Sequence, residues 1–404
     1  MLARPPAAAP ASSRFPGNRP PGPRLAADAR RSNRLRALTD ILSRSAHEAG
    51  AVALSPTLFV QAMLPHREVY ALGEDGAPVE ARTGRRGPGG SPETVRLLAS
   101  SYAATNGDLT LSIRAGTARG PSVAHPRVSR GVPYGGLARL LLCHLVTEAR
   151  KRDTPTLDLG RTITDFCARV HVTPSGGAHG RVPYVVDQLL RLATCVVDFQ
   201  WEHDGFGQTH GRQLQGQGSF GALAADPSTS ERPVAVPGRH EVRGENLLVV
   251  EGYHFWHQAA SDAAEPADGG SITLGARFWH EVAQSAFPLD FRKAQFFRAH
   301  PLAYDLYLWL TYRLGALERA GRPHVAVSYD SLHAQLGSHY QTEAGVLTAR
   351  GKKDFGFNVR KALHAVHATW PGLRVSTPRG RLVLYATGPD VAHRAPRRAQ
   401  PATP

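Results

Sequence analysis

GVLTARGKKDFGFNVRKALHAVHATWPGLRVS, residues 345–376, opens like a nucleotide-binding loop and continues as something else. Gly345 and Gly351 stand before Lys352, and a helical pattern follows at once. A phosphate-binding loop needs four residues between its glycines and a hydroxyl after its lysine. Here five residues separate the glycines and Lys353 stands where the hydroxyl must be, so nucleotide binding is set aside. From Lys352 onward, Phe355, Val359, Ala362, Leu363, Val366 and Trp370 recur at helical spacing and make one core face. The other side carries Lys352, Lys353, Asn358, Arg360, Lys361 and His364. Between Arg350 and Lys361, five basic residues stand against one acid, Asp354. They crowd the N-terminal end of the helix, the end that a helix-turn-helix pushes into the major groove. Arg and Lys donate to guanine O6 and N7, Asn pairs with adenine, and lysines at a helix start neutralise phosphate.

The flanking sequence supplies the rest of such a module. Downstream, LRVS-TPRG-RLVLYA (373–386) reads as a β-hairpin, with Arg374, Arg379 and Arg381 around its turn, where a wing touching the DNA backbone needs charge. Upstream, HPLAYDLYLWLTYRLGALE (300–318) is a long helix with Leu302, Leu306, Trp309, Leu310 and Leu314 on one side. VAVS (325–328) is a short strand and YDSLHAQLG (329–337) a short helix. The order helix, strand, helix, turn, helix, hairpin is that of a winged helix.

The same order occurs earlier. PYGGLARLLLCHLVTEARKR (133–152) is a helix with an apolar stripe at 137, 140, 141, 145 and 146. TLDLG (156–160) is a strand, and Thr162 and Asp165 resemble a capping pair opening a short helix to His171. After the turn TPSGGAHG comes the helix RVPYVVDQLLRLATC, then the strand VVDFQWE. That third helix turns Val182, Val185, Val186, Leu189 and Ala193 inward, leaving Arg181, Tyr184, Gln188 and Arg191 outward with Asp187 among them. DNA contact, an ordinary exposed face and a dimer surface all fit this second set. The fold class expected is α+β, with tandem winged-helix domains and a disordered basic N-terminal arm.

The chain has 404 residues and a formal net charge of +15, which favours polyanionic partners. No apolar run reaches the roughly 20 residues a membrane span needs, so no membrane partner is expected. Residues 1–33 are a Pro/Ala/Arg-rich arm without periodicity, expected to be disordered. Residues 1–36 hold eight arginines and one acid, Asp28, a composition that solvates a chain or binds nucleic acid. No apolar segment of a secretory signal is present, and the prolines argue against the amphipathic helix of a transit peptide. Residues 34–125 read as short helices, a Gly/Pro/charge linker (72–95) and a strand, DLTLSIRAG; Leu35, Leu38, Leu42 and Ala46 mark the first helix. The first winged-helix domain spans 126–260, with a flexible Gly/Gln/Pro-rich insertion at 204–242 that extends its wing. The second spans 271–386, and 387–404 is a disordered basic tail.

Cys143, Cys167 and Cys195 are far apart in apolar patterns and read as buried hydrophobes. The pairs His254/His257 and His364/His367 have no accompanying ligand cluster, so no metal is expected. No His-x-His with an apolar middle, G-x-S-x-G or H-E-x-x-H occurs, so neither a catalytic centre nor a cofactor is expected.

Three stretches resemble RepA-type initiators of bacterial plasmid replication. QAMLPHR (61–67) is similar to a short N-terminal motif of that family. GVPYGGLARLLLCHLVTEA with LDLGRTITDFCARVHVTPSGGAHGRV (131–182) is similar to its first winged-helix region. FRAHPLAYDLYLWLTYRL (297–314), VSYDSLHAQLG and KDFGFNVRKALHAV are similar to its C-terminal DNA-binding region. The resemblance implies a cytoplasmic bacterial protein that binds repeats of double-stranded DNA at a plasmid origin, helps open the adjacent duplex and recruits the host initiator and replicative helicase. It implies neither nucleotide hydrolysis nor strand cleavage, and self-association as a dimer when such a protein represses its own promoter. A winged-helix transcriptional repressor is the alternative reading, and a DNA-nicking or NTP-hydrolysing enzyme the second. Tandem, differently charged copies favour initiation, because an asymmetric site suits a monomer better than a palindrome does.

Overall fold

The computed structural model describes residues 23–61, 63–86, 92–106, 109–123, 125–175, 177, 180–203, 241–256, 269–337 and 348–392. Residues 1–22 of the expected arm, 204–240 of the insertion and 393–404 of the tail lie outside the described residues. The arm is not irregular throughout: Pro23 opens a helix, α1 (Pro23–Ser43). Proline is tolerated at a first helical position, and the Ala, Leu and Arg that follow are good helix formers. Ile41 and Ala46 are buried, whereas Leu35 and Leu42 are exposed, so the inward stripe runs through Leu38 and Ile41 rather than through Leu35 and Leu42.

β1 (Val52–Ser55) and α2 (Leu58–Gln61) follow. The stretch expected as a linker is an antiparallel ribbon, β2 (Glu80–Arg86) on β3 (Pro92–Arg96), with Ala81 opposite Val95. β3 is exposed along its length, so no alternation of apolar and polar residues marks it in the sequence. β4 (Ser101–Asn106) and β5 (Leu109–Arg114) pair, as do β6 (Thr117–Ser122) and β7 (His125–Ser129).

The first module runs α3 (Gly135–Arg152), β8 (Thr156–Gly160), α4 (Ile163–Arg169) and α5 (Arg181–Thr194). Thr162 and Asp165 cap α4 reciprocally, as their spacing predicts. β9 (Val196–His203) and β10 (Glu241–Leu248) then leave the module. They pair with each other and extend the sheet of β5 and β4, in the order β10-β9-β5-β4. They are therefore not an extended first wing. β8 pairs instead with β12 (Gly270–Leu274), Leu157 opposite Ile272, and β12 pairs with β11 (Val250–His254). Residues 270–274 thus complete the first module's sheet rather than opening the second domain.

α6 (Ala276–Ser285), β13 (Phe287–Asp290), which pairs with β1, and α7 (Phe291–Phe297) lead to the second module. It comprises α8 (Pro301–Arg319), β14 (His324–Ser328), α9 (Tyr329–Leu336), α10 (Ala349–Thr369), β15 (Val375–Ser376) and β16 (Arg381–Tyr385). The sheet orders β11-β12-β8 and β14-β16-β15 are the same arrangement: the hairpin's second strand is central and the strand after the first helix lies at an edge. The chain end is not all tail. Val391 is buried, and Asp390 accepts from Tyr307 Oη at 2.7 Å and pairs with Lys293.

α3 departs from a one-sided stripe. Leu141 and Leu145 enter one core, Leu140 and Cys143 the other, so it is buried around most of its circumference. Burial raises all three thiols, Cys143 to about 11 and Cys195 to about 12, in keeping with inert core residues. His144, also on α3, packs its ring 5.7 Å from Phe166 and 6.4 Å from Phe291. Burial pushes its pKa down from 6.5 to about 4. Between these values the unfolded chain takes up the proton and the folded chain does not, so stability declines as pH falls through that window. The full effect is roughly 3 kcal/mol. Urea unfolding of His144→Phe should lack this slope between pH 6.5 and 4; equal slopes in variant and wild type would refute the assignment.

One buried node fixes the two modules together. Arg139 of α3 donates through Nη2 to Asp305 Oδ2 of α8 at 2.7 Å, and its Nε also bonds Asp305. The same guanidinium donates to the carbonyls of Leu64, Pro65 and Gly135 at 2.5–3.2 Å. His66 Nε2 lies 2.8 Å from Asp305 Oδ2. Burial acts to raise the Asp305 carboxyl, but the Arg139 charge and the His66 contact outweigh it and hold the group below the usual carboxylate range. Beside the node, Gly135 has φ +70°, and a Cβ on Gly136 would lie 2.1 Å from the Arg298 carbonyl oxygen, so both positions require glycine.

Candidate nucleic-acid interface

α10 is seated by the stripe that its sequence predicts: Phe355, Val359, Ala362, Leu363, Val366 and the following Trp370 are all buried. α9 is joined to α8 by Trp309 Nε1, which donates to Gln335 Oε1 at 2.7 Å. It meets α10 through the rings of His333 and Phe355, whose centroids are 4.9 Å apart. The hairpin tip is tied in as well, since the Gly380 carbonyl accepts from Tyr329 N at 3.0 Å. Gly380 takes the left-handed conformation (φ +75°) that closes this turn. Helix and hairpin are therefore held in one rigid relation.

The opposite side of α10 faces solvent. Thr348 caps the helix by accepting from Gly351 N at 3.0 Å, and no acid occupies the first turn. Arg350 lies 3.7 Å from Asp354, and Lys352 Nζ is 2.9 Å from Asp330 of α9, so these two cations have carboxylate neighbours. Lys353, Arg360 and Lys361 are exposed and have no ion-pair partner among the described residues. The same holds for Arg374, Arg379 and Arg381 in and beside the hairpin. His364 and His367 are exposed. Asn358 is half-buried and its Nδ2 donates to Asp354 O of its own helix at 2.9 Å, so base pairing requires that bond to be exchanged. Sequence reasoning passed over Phe357, which is 61% exposed among these cations. The signal was present: 357 falls off the apolar stripe.

The first module's equivalent helix is different, and two assignments on it are corrected. Gln188 is fully buried and its Oε1 accepts from Tyr134 N at 3.0 Å. Arg191 is 4% exposed. It donates to Glu68 Oε1 at 2.5 Å and Val132 O at 3.3 Å, lies 2.8 Å from Asp187 Oδ2 and sits over the Tyr134 ring. Neither side chain is available to DNA. Helical spacing predicts both outward, but the β-rich N-terminal region covers this face and supplies Glu68 from far away in the chain. Tyr184 is half-buried, its ring 6.0 Å from Tyr134, and burial raises its phenol. Only Arg181 of the four is exposed. His254 Nδ1 lies 3.4 Å from the Gly269 carbonyl, and His257 is outside the described residues. Among the described residues no helix is long and apolar enough to cross a membrane.

These features define an α+β protein built on two copies of one small module; among the described residues the third helix of the second carries exposed cations without carboxylate partners, whereas Arg191 on that of the first is buried and ion-paired. Residues 132–227 and 228–331 match the family model described as "Plasmid encoded RepA protein". The chain belongs to this RepA-type family of plasmid replication initiators. The match takes in Arg139 and Asp305 and ends within α9. No curated protein matches. Two solved structures are similar at 12% identity. Selenomethionine derivatives of domain 2 and domain 3 of RctB give a TM-score of 0.37, over 73% of this chain and 92% of that one. A structure of RctB domains 2-3 gives 0.30, over 71% and 90%.

Proposed function

We propose that the chain is a sequence-specific DNA-binding initiator that acts on repeats at a plasmid origin, with both modules being winged helices and the second reading the duplex. The observation that carries this reading is the set of exposed, unpaired cations on α10 and the β15–β16 hairpin, set beside the internal neutralisation of α5. α10 would enter the major groove, with Lys353, Arg360 and Lys361 reaching phosphates or guanine edges and Phe357 touching a thymine methyl. Arg379 and Arg381 would hold the backbone beside the groove. In the first module Arg181 remains for backbone contact, and its buried Tyr134–Gln188–Arg191 network serves to fix the N-terminal region. Opening of the adjacent duplex and recruitment of the host initiator and helicase would follow from binding, with no strand cleavage or nucleotide hydrolysis by this chain.

Selection of a random duplex library by the full-length protein at about 150 mM salt tests the reading. An enriched word of roughly 10 base pairs, within one helical turn, is expected, the length that one recognition helix with its wing covers. An asymmetric word fits a monomeric initiator, and a palindrome would shift the assignment to a dimeric repressor. Binding without enrichment would reduce the charge to non-specific attraction and overturn the proposal.

A further inference from the structure

α1 is fixed to the second module at one end and left cationic at the other. Ile41 is buried, and Arg292 of α7 donates to the carbonyls of Asp40 and Arg44 at 2.9 and 2.8 Å and to Asp40 Oδ2 at 3.2 Å. Asp40 is thereby neutralised by Arg292 and by its i+4 neighbour Arg44. About two turns earlier the helix carries Arg31 and Arg34, both exposed and neither with a carboxylate partner among the described residues. Arg34 is not a free-swinging side chain. Its guanidinium lies over the Phe296 ring at 4.8 Å, and Nη1 is 3.5 Å from His300 Nε2. The sequence ahead of Asp28 has the same sign, with Arg4, Arg14, Arg19 and Arg24 and no acid.

His300 shows where this cationic end points. α1 packs against α10 as well as α7, and His300 contacts Arg34 from the start of α8; burial, then the Arg34 and Lys361 charges, lower its pKa. The cations of α1 therefore lie beside α10, whose exposed stripe holds Lys353, Phe357 and Lys361 at i, i+4 and i+8. We propose that α1 is a second DNA-contacting element, which places Arg31 and Arg34 against the phosphate backbone of duplex flanking the segment occupied by α10. This rests on the DNA-binding reading given above. It assigns a role to the basic N-terminal region: α1 lengthens the footprint without adding base readout.

The test uses full-length protein and two duplexes, one trimmed to the enriched word and one carrying about ten further base pairs on each side. Two phosphate contacts contribute about −1.8 to the slope of log K against log salt, and roughly thirtyfold in affinity at about 150 mM. Arg31→Ala with Arg34→Ala should lose that increment on the flanked duplex and bind the trimmed one as wild type does. Arg31→Lys with Arg34→Lys should retain most of it, which separates charge from a packing defect at Phe296. Wild-type affinity and slope for the alanine variant on the flanked duplex would overturn the proposal. If alanine at Lys353, Arg360 and Lys361 also changes nothing, the DNA-binding reading itself has failed; if that variant alone loses binding, only the role of α1 has.

Discussion

Asp305→Ala should destabilise the protein by about 3–5 kcal/mol, the range for removing one partner of a buried ion pair. The carboxylate is fully buried between Arg139 and His66, so its loss strands the Arg139 guanidinium, itself buried, without its counter-charge. Three backbone carbonyls would still accept from Arg139, but none carries a formal charge. Urea midpoints of the two proteins measure the difference. Asp305→Asn keeps acceptor geometry and should fall between them. Arg139→Met combined with Asp305→Leu should recover much of the loss, since an apolar pair removes the desolvation cost of both ions. The linkage has a definite sign. The folded-state pKa of Asp305 is depressed, so its contribution is present above the ordinary carboxylate pKa and lost as pH falls through the folded value. A loss under 1 kcal/mol in Asp305→Ala would mean that this node does not hold the modules together. The node draws together three stretches far apart in the chain, one for each of His66, Arg139 and Asp305.

What the sequence makes legible follows from how local each cause is. The core stripe of α10 reads directly because one side of the helix meets one core, and the capping pair of α4 because its partners are three residues apart. Arg139 does not read as buried. α3 serves two cores, and a polar residue at such a position becomes interpretable only once Asp305, 166 residues away, is in place. Gln188 and Arg191 fail for the same reason, with Glu68 lying 123 residues from Arg191. The pairing of β8 with β12 was equally hidden. The strand next in the chain, β9, finds its apolar partners in β5 instead, Leu111 opposite Phe199. Charge that faces solvent needs no distant partner to be recognised, which is why the exposure of the α10 cations and the hairpin arginines reads from spacing, whereas the burial of Arg191 does not.

Replacing Lys353, Arg360 and Lys361 together by alanine should weaken binding to the selected duplex by roughly a hundredfold at about 150 mM salt, while leaving stability within about 0.5 kcal/mol. The first part follows from counterion release. Three phosphate neutralisations contribute about −2.7 to the salt slope, and the variant's plot should be flatter by that amount. The second part follows from the surroundings: all three side chains are exposed, without ion-pair partners among the described residues, and on the side away from the buried stripe. Lys352 is left out of this set because Asp330 already stands 2.9 Å from its ammonium. Phe357→Ala makes the contrasting control. It removes no charge, so the slope should not change, whereas preference at one A·T pair should relax by about 0.8 kcal/mol, the worth of one buried methyl, if the ring meets a thymine methyl. Replacing that thymine by uracil removes the same methyl from the DNA side, and the two losses should then not add. A triple variant with the wild-type slope would take α10 out of the interface. A flattened slope with unchanged base preference in Phe357→Ala would keep α10 on the DNA as a phosphate-binding helix and move readout to other residues.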